Sequence, residues 1–175
     1  MEMAFAKVVR LGLGLLALAG FLVSLAVHLE TLRGVDVQAA FPYVMFLHMG
    51  IFFVFGPFIL VSRSDFTGKQ SMRQLAAGLP RWVVVAGCLI FAYAFLNFVL
   101  FMVGYQGNPS ISNGKYLLLD HGRLVRELSA SQYAAARANE VRGFSGHWLV
   151  FYGLPAAYFL LWKKPESVPL ADPAF

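Results

Sequence analysis

Apolar residues run almost unbroken through four parts of the chain, 11–27, 41–62, 82–104 and 144–162, and polar residues gather between them. A helix needs roughly 20 apolar residues to cross the hydrocarbon core of a bilayer. Each stretch comes near that length. The pattern predicts an all-α fold, a four-helix transmembrane bundle with helices at about 8–28, 41–62, 82–104 and 144–162. These form one integral membrane domain over 1–175, with 106–143 as an extramembrane cap. Lys7 and Arg10 ahead of the first stretch, and Ser24-Leu25-Ala26 near its end, follow the order of a signal peptide. Its apolar run is longer than the roughly 7–15 residues of a signal peptide's apolar region, so it reads as a first transmembrane helix.

Polar side chains inside such stretches are uncommon, usually face the bundle interior and often carry function. In the first stretch Ala17, Gly20, Ser24 and His28 fall at helical spacing and form one small, increasingly polar stripe. Small residues of this kind let helices approach closely in a membrane. At about 1.5 Å of rise per residue, His48 and Asn97 come about 10 Å, and His147 about 5 Å, below the outer ends of their helices. Ser24, His28 and Ser145 join them, and the set forms a polar layer toward one face. Two readings of that layer follow. In one, His48 and His147 are axial ligands of haem b or ligands of a metal ion, with His28 and Glu30 as further metal ligands. Neutral imidazoles on facing helices suit that chemistry. In the other, Ser24, His48, Asn97, Ser145 and His147 hydrogen-bond between helices and set their register. Such bonds contribute only about 0.6 kcal/mol each in membranes.

The segment between the third and fourth stretches has its own pattern. After turn residues at Gly107-Asn108-Pro109 and Ser112-Asn113-Gly114, 115–119 reads as a strand, Asp120-His121-Gly122 as a turn and 123–128 as a returning strand. Ser129 with Gln132 is a capping box that opens a helix running to about Arg142 and broken by Gly143. Leu117, Leu118, Leu119, Leu124, Val125 and Leu128 are too many apolar residues for a disordered linker. This is a small hairpin-plus-helix cap. Tyr133, Arg137 and Glu140 lie along one side of its helix and are its candidate interaction residues.

Composition sharpens the class. Of 175 residues 59% are hydrophobic and 13% charged, against about 25% charged in soluble domains. The net charge of +5 is scattered through the connections, without the dense basic stripe of a nucleic-acid surface. The segments 1–10, 63–81 and 163–175 carry eight basic against four acidic residues, and the other two loops six against five. Excess Lys and Arg mark the cytoplasmic side. Both termini are therefore expected inside a plasma or inner membrane. Trp82 and Trp162 would sit at the inner interface, with Tyr43, Tyr105 and Trp148 toward the outer one. The single Cys88 excludes an intrachain disulfide. No nucleophile elbow, phosphate loop or closely spaced metal motif is present, so no catalytic residue is assigned. The expectation is a non-enzymatic accessory or interaction subunit, embedded in lipid beside another membrane protein or a second copy. The alternative is a membrane redox protein holding haem or metal at the histidine layer.

Overall fold

The computed structural model describes residues 2–66 and 71–165. Met1, Lys69 of the basic inner segment and residues 166–175 lie outside the described residues, and the expectation for the two chain ends falls partly on them. Helix α1 spans Glu2–Leu32, α2 Val37–Ala40, α3 Phe46–Asp65, α4 Ser71–Ala77, α5 Arg81–Gly104 and α6 Ala130–Leu161. Three strands, β1 Asn108–Ser112, β2 Lys115–Asp120 and β3 Arg123–Leu128, stand between α5 and α6. The molecule is mostly helical. Three of its helices, α1 (from Ala4), α3 and α5, are long and apolar enough to cross a membrane.

Helix α6 corrects the expected layout. The cap helix and the fourth apolar stretch are one continuous helix, and Gly143 does not break it. Glycine lowers helix stability but does not end a helix that packing holds. Here Gly143 lies against the Phe101 ring of α5, 2.7 Å from where a Cβ would stand, so the missing side chain is what admits the neighbour. The helix starts at the expected capping box, with Ser129 Oγ accepting from Gln132 N–H and Gln132 Oε1 accepting from Ser129 N–H. It is the longest of the four long helices and the least apolar. It is also the hub, since α1, α3 and α5 all pack on it. Its small and polar residues face protein, and its neighbours turn their leucines and phenylalanines outward.

Two apolar clusters sit along α6. One gathers Ala17, Val44, Ile51, Val54, Trp148 and Tyr152; the other Phe58, Leu75, Tyr158, Phe159 and Trp162. Tyr152 shows how the sequence permits the contact. Its ring fills the space left by Gly20 on α1 and Gly50 on α3, and its hydroxyl donates to Leu47 O at 2.7 Å. Near the second cluster the end of α6 is tied down. Arg10 of α1 donates to the carbonyls of Phe159, Tyr158 and Trp162 at 3.0–3.1 Å, at the end of the helix where carbonyls run short of backbone donors. Lys163 N–H reaches Gly78 O at 2.9 Å just beyond α4, and Tyr158 donates to Asp65 at the end of α3.

The cap has one more strand than expected. The three strands form an antiparallel sheet in the order β1-β2-β3. Asn113-Gly114 and His121-Gly122 make the two tight turns, all four residues having φ between 49° and 81°. Positive φ at both central residues is the geometry that matches the twist of paired strands. Pro109 is tolerated because β1 is an edge strand.

Candidate functional site

Hydrogen bonds through the Arg142 carbonyl link His28, Ser145 and Asn97 of the expected polar layer. Its centre is His28, 2% exposed, on α1. His28 Nδ1 lies 2.7 Å from Ser145 Oγ of α6 and Nε2 lies 2.5 Å from the Tyr93 hydroxyl of α5. Three helices therefore meet at one imidazole. Ser145 Oγ donates to Arg142 O at 3.3 Å, and Asn97 Nδ2 donates to the same carbonyl at 3.0 Å. With the serine proton so placed, Ser145 accepts from His28 Nδ1–H, and His28 Nε2 accepts from the Tyr93 O–H. A neutral imidazole with its proton on Nδ1 satisfies every partner. Gly146 makes the layer possible, because a Cβ there would stand 2.7 Å from Asn97 Nδ2. Ser24, also fully buried, has no hydrogen-bond partner for its hydroxyl among the described residues.

The other expected ligands lie elsewhere. His48 on α3 accepts at Nδ1 from Trp148 Nε1–H at 3.2 Å and packs edge-on against Phe144. This arrangement puts its proton on Nε2. His147 bonds back to Gly143 O at 3.0 Å and meets Phe98 of α5. The two imidazoles thus occupy different sides of α6, one toward α3 and one toward α5, and are not brought onto a common centre. Glu30 pairs with Arg33 at 2.7 Å on the surface, turned away from the buried His28. Among the described residues no three His, Cys, Asp or Glu side chains converge as a metal site would require.

The interaction residues chosen from the sequence are engaged within the cap. Tyr133 packs on Tyr116 of β2, ring centroids 4.8 Å apart, and holds the sheet to α6. Arg137 and Glu140 form a half-buried pair at 2.8 Å. Burial pushes the Glu140 carboxyl above its ordinary value, more than the Arg137 guanidinium pulls it down, and Asp36 adds to the rise. Glu140 borders a cleft of about 330 Å³ between the sheet, the end of α5 and α6, where Arg126, Gln132 and Asn139 supply further polar groups.

Two features escaped the sequence reading. Tyr93 looked like one more aromatic in an apolar helix. Its spacing of four residues from Asn97 puts both on one face of α5, and that was the available signal. Leu124 and Val125, two of the apolar residues that argue for a folded cap, are 58% and 50% exposed, with Ile111 at 57%. The register of β2 on β3 jumps between Leu118 and Leu119, leaving Val125 as the extra residue of a bulge. A bulge bends a strand and interrupts its pairing.

No family model, curated protein or solved structure matches this chain. Its function is therefore argued from its own residues.

Proposed function

We propose that this chain is a multipass integral membrane protein, a four-helix transmembrane bundle acting as a non-enzymatic accessory subunit that docks through its outer cap. Burial of α6 against α1, α3 and α5 supports counting it as a fourth crossing, because a helix sheltered by protein does not need a lipid-compatible surface. The excess of basic residues in the segments around Arg10, Arg63, Arg73 and Lys163 supports an orientation with both termini inside and the cap outside.

The observation that carries the docking role is the apolar surface of the cap. Exposed leucines on α1, α3 and α5 are what lipid requires. Ile111, Leu124 and Val125 belong to a sheet beyond the end of α5, where lipid does not explain them. Leu124 and Val125 are adjacent exposed apolar side chains on β3, flanked in sequence by Arg123 and Arg126, a makeup that suits a protein contact. The bulge at Val125 interrupts strand pairing there, so side chains rather than an added strand would make the contact. The partner is another membrane protein or a second copy of this chain. The engagement of His48 with Trp148 favours this reading over a haem or metal carrier.

Replacing Leu124 and Val125 together with Glu tests it. Both side chains are exposed, so the variant is expected to insert and fold as before but lose the partner in cross-linking and copurification from native membranes. Sizing of the purified protein separates a second copy from a different chain. Retention of every native contact by the double variant would refute the docking role, as would a Soret band in the purified protein.

A further inference from the structure

Between α1 and α5 a groove of about 390 Å³ opens beside the buried imidazole. Leu25 and Leu29 of α1 and Leu89 and Ile90 of α5 form its walls, Leu149 of α6 its floor, and the polar side chains that line it are His28 and Tyr93. The walls belong to two helices of membrane-spanning length, so the molecules able to reach the groove are those dissolved in the bilayer. The lining side chains offer no cation to a phosphate headgroup. Its occupant is uncharged, mostly apolar and able to hydrogen-bond at one point.

That point is unusual in being reversible. Tyr93, 40% exposed on the groove, donates to His28 Nε2, which leaves a phenolic lone pair able to accept from a hydroxyl. The opposite arrangement uses the same atoms. Ser145 Oγ–H donates to Nδ1, Nε2–H donates to the Tyr93 oxygen, and the Tyr93 O–H turns outward to a carbonyl. Neither arrangement places a net charge in the layer. The site can thus meet a hydroxyl or a carbonyl by exchanging the imidazole tautomer and rotating the Ser145 and Tyr93 hydroxyls. A quinone and its quinol present those two groups on one flat ring carrying one apolar tail. A diacylglycerol brings two chains, and a sterol brings a hydroxyl alone.

We propose that the α1–α5 groove binds the ring of a membrane quinone or quinol, with Tyr93 as the hydrogen-bonding contact and His28 and Ser145 as residues that position it. The proposal concerns binding and assigns no electron transfer to this chain. It is independent of the docking role of the cap.

The test uses the full chain, purified in detergent, with decylubiquinone as probe and its effect on the unfolding temperature as readout. A ligand that binds only the native state raises that temperature saturably, which yields an apparent affinity. Wild type is expected to saturate. Tyr93→Phe, nearly isosteric and lacking one hydrogen bond, is expected to bind about five- to tenfold more weakly. Leu89→Trp, at a 66% exposed position on the groove wall, is expected to fill the groove and abolish saturation. Leu100→Trp, on α5 but outside the groove, is expected to bind as wild type. Affinities unchanged in both Tyr93→Phe and Leu89→Trp would overturn the assignment. Should Leu89→Trp fail to fold, the Tyr93→Phe affinity decides alone. Equal affinity for dioctanoylglycerol, lost in the same variants, would show a glyceride site and likewise overturn the quinone proposal.

Discussion

At the scale of single residues, the most consequential side chain is one that sequence reasoning counted only as a topological charge. Arg10 sits where α6 ends, and its guanidinium donates to the carbonyls of Phe159, Tyr158 and Trp162, of which only Tyr158 O also accepts from the closing Trp162 N–H. A cation at a helix C-terminus also opposes the negative end of the helix dipole. Its face lies over the Tyr158 ring at 5.0 Å and the Trp162 ring at 5.9 Å. Arg10→Ala therefore leaves carbonyls unpaired in a partly buried place and removes a cation–π contact. The expected loss is about 2–3 kcal/mol of folding stability, read as an earlier transition in denaturant titration of the purified protein. Arg10→Lys keeps the charge but lacks the planar fork, so it is expected to recover only part of the loss. Full stability in Arg10→Ala would mean that Lys163 and the α4 contacts hold this end without it.

At the scale of elements, glycines decide which helices touch. Gly20 faces the Tyr152 ring, and a methyl group there collides with it; Gly12 on the same helix has open space around it. Gly20→Ala is expected to cost about 1–3 kcal/mol through overpacking. Gly12→Ala is expected to be neutral or to stabilise by up to about 1 kcal/mol through helix propensity. Equal effects in a thermal-unfolding comparison would contradict the packing. The same local logic explains what could be read in advance. Length and apolarity placed α5 within a residue of its observed ends, and the Ser129–Gln132 capping box marked the start of α6. The stripe Ala17, Gly20, Ser24, His28 anticipated the side of α1 that packs on α6. The apparent break at Gly143 came from reading a glycine by propensity, when its role is to admit Phe101. Strand β1 was passed over because Pro109 and serines resemble a loop, although Asn113-Gly114 is a strong hairpin signal. The partnership of His28 with Tyr93 was signalled only by the face Tyr93 shares with Asn97, because depth along a helix gives no angle around it. His48 meets Trp148 and Phe144, whereas His147 bonds back to Gly143 O and meets Phe98.

At the scale of the whole molecule, hydrogen bonds gather the helix ends into two distinct faces. Arg10 of α1, Asp65 of α3, Gly78 beyond α4 and the last turn of α6 form one linked end. The sheet, the end of α5 and the first turns of α6 form the other, bordering a shared cleft. The first face holds Lys7, Arg63, Arg73, Arg81 and Lys164 as well as Arg10. The opposite one balances its arginines with Glu127, Glu140, Asp120 and Asp36. Orientation follows the unbalanced Lys and Arg near helix ends rather than net charge over a long loop, so the first face is expected in the cytoplasm. The lone Cys88, on the exposed side of α5, permits a clean test once replaced by Ser. Cysteine is then introduced singly as Ser112→Cys in the exposed β1 and as Arg73→Cys in α4. An impermeant maleimide is expected to label the first in intact cells and the second only after permeabilisation. The reverse pattern would invert the protein in the membrane. It would also move the exposed Leu124 and Val125 to the cytoplasmic side and require the docking partner to be sought there.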